Sequence, residues 1–320
     1  MRVKRSAMGG PTVVPMKPKT LSSYHAAVKT AAEHIVSSLD HALDLADLAR
    51  IAHVSPFHFH RMFRGMLGET PLELHRRLRL ERAAFWLLNS QLQVTEIAFD
   101  AGYETHEAFT RAFRAAYGRS PSTYRNSSFM QPGCMKAGPT QLPARCGLHF
   151  EPAPTVRNLQ LRSGESSMDV ELVKLPRLRL AKCAHVGPYN RIAEAFERLG
   201  ALAGPAGLLQ PQTRMLAVYL DDQDAKLADE LRSEACITVP DDIALPSGLT
   251  EGWLPAGRYA RTTHQGSYAT LGDMWARLLG EWLPSSGWDV AATPGFEVYL
   301  NTPGHVKTED LRTELYLPLA

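Results

Sequence analysis

The chain has 320 residues, 44% hydrophobic and 21% charged, with a formal net charge of +2. That is long enough for two cored domains, ordinary in composition for a soluble fold, and without an apolar run that could span a membrane. The charge is uneven: residues 1–126 hold 17 Lys and Arg against 11 Asp and Glu, and the remainder 18 against 22. A basic half joined to an acidic half fits a nucleic-acid reader joined to something else.

Residues 1–20 carry basic side chains but no apolar core of a secretory signal, and read as a disordered arm. Residues 21–126 read as nearly all helix. Ala27, Val28, Ala31, Ile35 and Leu39 sit at helical spacing. A short helix follows from Asp44 or Leu45 to Ala52, then a turn at His53-Val54-Ser55, with Ser55 as cap and Pro56 at the first position of the next helix. That helix stops at Gly68. A long helix starts at Pro71, with Leu74, Leu78, Leu80, Ala84 and Leu87 on its apolar side. The design then repeats: a helix over 95–101, a turn at Gly102-Tyr103-Glu104, Thr105 as cap, and a helix to Tyr117. Ala49 matches Ala98 and Ala52 matches Ala101, 49 apart; Phe59, Arg61, Phe63, Gly68 and Pro71 match Phe109, Arg111, Phe113, Gly118 and Pro121, 50 apart. These are two helix-turn-helix units joined by a long helix.

Residues 127–167 are rich in Pro and Gly and read as a linker, with one short strand at 159–161 and loose coupling between the domains it joins. Residues 168–320 repeat as well. AHVGPY at 184–189 matches THQGSY at 263–268, VYL recurs at 218–220 and 298–300, and Phe196, Arg198 and Leu199 align with Trp275, Arg277 and Leu278. Each half reads strand–strand–helix–strand–strand, so the fold class is multidomain: an all-α N-terminal domain, then an α+β domain of duplicated strand–helix modules. One sheet with helices on one side and a cleft between the halves is expected. The four cysteines lack metal-binding or redox spacing, and His58 and His60 point to different sides of their helix, so no metal or cofactor is expected. His185 and His264 are equivalent in the repeat and read as structural; the acidic run from Asp221 to Asp224 reads as a solvated loop.

The chemistry follows from the faces. In the first unit's last helix Phe59, Met62, Phe63 and Met66 form the core stripe, leaving Phe57, His60, Arg61 and Arg64 outward. In the second, Ala108, Phe109, Ala112 and Phe113 turn inward, leaving His106, Glu107, Thr110, Arg111 and Arg114 outward. Exposed arginines at equivalent places suit two readers of a DNA major groove. In the second domain Glu297 and Tyr299 share a strand face, and the equivalent strand has Ala217 where Glu297 stands. A single carboxylate in a pseudo-symmetric cleft, with Tyr189, Tyr268, Trp253 and Trp275 around it, suits one lipophilic cation. Trp275 and Trp282 fit either helix core or pocket wall, and Glu314 with Tyr316 form a second candidate pair. Alternatively, Glu297 with Tyr268 or Tyr299 would activate water.

Residues 25–125 resemble the DNA-binding domain of the AraC/XylS family of bacterial transcription regulators, through LADLA…VSPFHFHRMFR, RLERAAFWL and VTEIAFDAGYETHEAFTRAFRAAYGRSPSTYR. The resemblance implies base contacts from Phe57, His60 and Arg61 and from His106, Glu107, Thr110 and Arg111; in some relatives only the first helix enters the groove. Residues 168–320 resemble the GyrI-like effector-binding domain, through HVGPY, THQGSY, PGFEVYLN and TELYLPL. That resemblance implies binding of a small amphipathic or cationic organic molecule, and some such domains hydrolyse reactive small molecules or sequester drugs. The DNA domain comes first, as in the Rob-type arrangement. The expected partners are double-stranded operator DNA, a small organic effector and RNA polymerase, with no membrane, in a cytoplasmic, nucleoid-associated protein.

Overall fold

The computed structural model describes residues 18–127, 140–152, 159–161, 168–221 and 226–320. Most of the expected N-terminal arm, Cys134 and the end of the acidic run near Asp224 therefore lie outside the described residues. The last three residues of the expected arm open α1 (Pro18–Ser37). Then come α2 (Leu45–Ile51), α3 (Pro56–Leu67), α4 (Pro71–Asn89), α5 (Val94–Asp100), α6 (His106–Tyr117) and α7 (Pro121–Ser127). The first unit is α2–turn–α3 and the second α5–turn–α6, with α4 between them.

Local chemistry sets these boundaries. Asp44 caps α2 by accepting from the amides of Ala46 and Asp47. Thr70 and Glu73 form a reciprocal capping box on α4, and Thr105 accepts from Ala108 N at 3.1 Å to open α6. Ser55 makes no such bond; the N1 proline alone marks the start of α3, because its missing N–H needs no acceptor there. Gly68 and Gly118 end α3 and α6 in the left-handed region. Each unit has its core. Phe59, Met62, Phe63 and Met66 are buried with Leu48 and Leu74 in the first, and Phe109 and Phe113 with Leu80, Ala84 and Ile97 in the second.

The second domain is one eight-stranded antiparallel sheet. Its strands are β1 (Glu171–Leu175), β2 (Leu178–Val186), β3 (Met215–Tyr219), β4 (Arg232–Thr238), β5 (Thr250–Leu254), β6 (Gly257–Gln265), β7 (Phe296–Tyr299) and β8 (Arg312–Leu319). The order is β1-β6-β8-β7-β3-β4-β2-β5. It reads identically from both ends when each half's strands are matched, so a pseudo-twofold axis passes between β3 and β7. The first strand of each half is exchanged: β1 pairs with β6 and β5 with β2. α8 (Ala193–Ala203) packs on Ala181, Cys183, Ala235 and Ile237; α9 (Leu271–Arg277) packs on the equivalent Ala260, Leu315 and Leu317. Both helices thus lie on one face. α9 runs on through a π-helical turn (Leu278–Trp282) into α10 (Leu283–Ser286). The opposite face closes over Leu180, Val218, Tyr259, Phe296, Val298 and Tyr316.

Three sequence expectations change. The segment expected to be a loose linker is, where described, pinned to α4: buried Glu81 accepts from the amides of Leu142 and Phe150 at 2.9 and 2.8 Å, from Arg77 at 2.9 Å, and lies 3.1 Å from His149 Nδ1. Residues 159–161 are not a strand. Asp221 is not a solvated loop residue; its buried carboxylate accepts from Lys226 and from the backbone and side chain of Arg232, and these cations hold its pKa well below the usual carboxylate range.

The two domains share a core. α3 lies against α9 and the π turn, with Met62 and Met66 in one apolar cluster with Leu278, Leu279 and Leu283. Gly65 and Gly280 set the approach: a Cβ on Gly65 would stand 2.0 Å from Ala276 O, and one on Gly280 2.4 Å from Gly65 Cα. Polar contacts complete the seam. His58 Nε2 lies 3.0 Å from Thr293 O, Arg64 bonds Asp273 at 2.9 Å, and Val290 N donates to Tyr24 Oη at 3.1 Å.

Candidate DNA interface and ligand site

α6 presents the face expected of a groove reader. Phe109 and Phe113 are buried beneath it, while Glu107, Arg111 and Arg114 are exposed and His106 is half-buried at its start. Thr110 departs from expectation: its Oγ1 is shielded from solvent and has no hydrogen-bond partner among the described residues.

α3 differs. The side chain of Phe57 lies outside the described residues. Arg64 is exposed apart from its ion pair with Asp273. His60, expected outward, is buried, and so is His58, at 1% exposure. Arg61, expected to face solvent, is half-buried, with its guanidinium carbon 4.8 Å from the centroid of the Trp275 ring. For Arg61 and His58 the cause is the domain seam: α9 and the segment after it cover the flank of α3 that carries His58, Arg61 and Gly65.

Beneath Arg61 lies the carboxylate of Glu297, 2% exposed on β7. Ala217, its counterpart in the repeat, is its direct partner across the β3–β7 pair, so the two stand beside the pseudo-twofold axis. Trp275 Nε1 donates to Glu297 Oε1 at 2.7 Å, and Tyr299 Oη donates to Oε2 at 3.0 Å. The Tyr219 hydroxyl is 3.0 Å from that of Tyr299. Tyr299 also meets the Phe196 ring at 5.6 Å and the Tyr268 ring at 5.3 Å. Burial raises the pKa of Glu297; the Trp275 hydrogen bond, the charge of Arg61 and the Tyr299 hydroxyl pull it back down. Burial, with the nearby carboxylate, pushes Tyr219 and Tyr299 well above the usual phenol range. The result is a buried carboxylate caged by aromatic side chains, with the Arg61 guanidinium over one of them.

Of the expected ligand residues, Glu297, Tyr299, Tyr268 and Trp275 come together. Tyr189 stands one layer back: its ring touches Tyr219 at 4.7 Å and its hydroxyl donates to the Asp221 carbonyl at 2.7 Å. Trp253 does not join. It lies on edge strand β5, 37% exposed, with Arg177 stacked on it at 3.6 Å; the strand exchange carries β5 to the far side of β2. Glu314 and Tyr316 bond each other away from the cage, Tyr316 stacking on Phe296 in the opposite face's core. A cavity of about 240 Å³ opens between β6 and α9, apart from the cage; of its charged lining residues, Arg261 pairs with Glu171 and Arg277 with Glu281. His185 and His264 make equivalent bonds to the carbonyls of Pro188 and Ser267, as a structural pair would. Sequence reasoning missed Tyr219, Phe196 and Arg61. The first two were marked by the repeat, as counterparts of Tyr299 and Trp275; Arg61 carried no mark, because nothing local says which domain covers it.

Known proteins match the two parts of the chain separately. Residues 168–320 match the family described as GyrI-like small molecule binding domain, and residues 48–127 match a helix-turn-helix domain family. A DNA gyrase inhibitor of Erwinia billingiae (strain Eb661) is 34% identical over 158 residues, 48% of this chain and 98% of that protein. The regulatory protein SoxS of Salmonella typhimurium is 33% identical over 104 residues, 32% of this chain and 97% of that protein. Among solved structures, the EcmrR C-terminal domain is similar at 18% identity and a TM-score of 0.43, covering 48% of this chain and 98% of that one. Among the described residues no helix is long and apolar enough to cross a membrane. With a DNA-binding module in its first half and a small-molecule-binding module in its second, the chain belongs to the AraC/XylS-type transcription regulators, carrying a C-terminal GyrI-like effector-binding domain in the Rob-type order.

Proposed function

We propose that this regulator senses a lipophilic organic cation at Glu297 and reads its operator through α6 and α3. The observation that carries the ligand class is the buried carboxylate held by Trp275 and Tyr299 at the pseudo-twofold axis, with Ala217 opposite. A second carboxylate at position 217 would make the site a pair sharing a proton or a metal; one carboxylate among aromatic rings favours one monovalent cation. Both oxygens of Glu297 already accept hydrogen bonds, which favours a binding role over that of a base activating water.

On the DNA side, Arg111 and Arg114, with His106, Glu107 and Thr110, form the α6 reading surface. Arg61 and Arg64 supply that of α3. Arginine suits guanine edges and phosphates, and Glu107 suits the amino group of cytosine. Affinity for operator DNA should fall steeply with salt.

Titration with tetraphenylphosphonium, followed by tryptophan emission, tests the ligand site. Glu297→Gln should weaken binding by about tenfold or more, since it removes the counter-charge and leaves the cage shape intact. Triphenylphosphine oxide, of similar shape but neutral, should bind weakly to both proteins. Equal affinity of wild type and variant for the cation would dismiss the site.

A further inference from the structure

We propose that Arg61 is a tethered competitor for the cation site, so that an organic cation entering the Glu297 cage displaces Arg61 and frees α3 to bind DNA. The proposal rests on the ligand reading above and adds its regulation.

Three observations support it. First, Arg61 already occupies a cation's place: its guanidinium stacks over Trp275 at 4.8 Å, and the same indole donates to Glu297. A cation drawn to that ring face and that carboxylate meets Arg61 there. Second, Arg61 belongs to the other domain, on the helix whose outward face is expected to read a groove. Third, α3 cannot lie on α9 and in DNA at once. The Gly65–Gly280 approach leaves no room for a nucleic acid backbone between the helices, and His58 and Arg64 are engaged with Thr293 and Asp273. Operator DNA and α9 thus compete for Arg61 and Arg64 of α3, while the cation and Arg61 compete for one carboxylate. A ligand that binds only the opened state shifts the equilibrium by its differential affinity, and the coupling is reciprocal. Cation should therefore tighten DNA binding, and operator DNA should tighten cation binding by the same factor.

The fold makes the device specific to the first unit. Arg111, the counterpart of Arg61, is exposed with no covering helix among the described residues. α6 stays available for phosphate contacts in the closed state, and release of α3 adds the second set.

The test uses the full chain with tetraphenylphosphonium as probe. Arg61→Ala should bind the cation more tightly than wild type, by roughly three- to tenfold, because the internal competitor is gone. Asp273→Lys, an exposed residue outside both the cage and the reading faces, should raise cation affinity by roughly two- to fivefold by turning an attraction for Arg64 into a repulsion. In wild type, saturating cation should speed amide hydrogen exchange across residues 58–67 and leave residues 106–117 unchanged. Triphenylphosphine oxide should do neither. If Glu297→Gln abolishes cation binding but Arg61→Ala leaves it unchanged or weaker, the cage stands and the competitor role is overturned. The competitor role falls equally if the cation binds wild type while exchange in 58–67 stays level or slows. If Glu297→Gln has no effect, the ligand reading itself has failed, an outcome separable from the other two.

Discussion

α3 and α6 are built on one pattern, yet one is enclosed and the other free. Both start after a turn, bury two phenylalanines four apart, carry arginines at the same two places and end on a left-handed glycine. They differ along the flank beside the phenylalanines. α3 has His58, Met62, Gly65 and Met66 where α6 has Ala108, Ala112, Ala115 and Ala116. The larger apolar groups and the glycine let α9 sit down on α3; the alanines of α6 offer too little surface to hold a partner helix. A shared motif therefore fixes the phenylalanine core and the turn, while a few substitutions on the flank beside them decide whether another helix packs there.

The sharpest way to break this comparison is to fill the glycine. Gly65→Leu places a side chain where a Cβ alone would stand 2.0 Å from the Ala276 carbonyl oxygen. The seam cannot accept it without separation, and the docked state should lose about 3 kcal/mol or more. Ala115→Leu, the counterpart on exposed α6, should change stability by less than about 0.5 kcal/mol. Thermal unfolding with domain-resolved proteolysis measures both. Equal effects would mean that α3 is no more enclosed than α6.

The arginines sharpen the same contrast. Arg111→Ala should cost about 1–3 kcal/mol of specific operator binding, since it removes a contact made only on DNA. Arg61→Ala should cost less in the absence of cation. It removes a DNA contact but also the Trp275 contact that holds α3 closed, so the two losses offset. With saturating cation the closed state is already suppressed and the Arg61→Ala penalty should grow toward that of Arg111→Ala. Operator titrations with and without tetraphenylphosphonium give both values; identical Arg61→Ala penalties under the two conditions would refute the offset.

Acid should act on α3 and spare α6. Burial pushes the His58 pKa down to about 4, with the Arg61 charge in the same direction and the carbonyls of Thr293 and Ala291 opposing. In a released helix the imidazole titrates near 6.5. Between those values the open state binds more protons, so the docked state is fully stable above about pH 6.5 and weakens as pH falls, by about 1.4 kcal/mol per unit. At pH 5 that amounts to about 2 kcal/mol. His75 on α4 is also lowered to about 4, by burial and by Arg79, so overall stability has its own acid slope. Exchange rates compared between 58–67 and 106–117 isolate the His58 part, and His58→Gln should flatten it.

Much of this was legible in the sequence. The two internal repeats carried the helix order, the duplicated sheet and the Glu297–Ala217 asymmetry, because each is a local pattern written twice. What was not legible depends on partners distant in sequence. Gly65 and Gly280 signal a close contact only by lacking side chains. Glu81 reads as one more charge on a long helix until Leu142, His149 and Phe150 fold back on it. Trp253 counts as a cage residue if β5 stays with its own half, and leaves the cage once the edge strands exchange. In each case hydrophobic periodicity names the face a residue occupies but not the element that covers it.

The smallest expected effect lies in the turns that precede the two reading helices. His53 and Gly102 are equivalent, and both take positive φ, 52° and 77°. For a residue with a Cβ the left-handed region costs about 1 kcal/mol, and glycine avoids that while adding freedom to the unfolded chain. His53→Gly should therefore stabilise the first unit by about 0.5 kcal/mol. Gly102→Ala should destabilise the second by about 1 kcal/mol or more, because its Cβ would also stand 2.3 Å from the Arg79 guanidinium. That guanidinium bonds the Leu39 carbonyl at 2.7 Å and ties the second turn to the end of α1. Opposite signs in chemical denaturation would show that the two turns share one backbone demand, which only one of them meets with glycine. A loss of stability in His53→Gly would mean that the His53 side chain makes a contribution larger than the strain of its backbone.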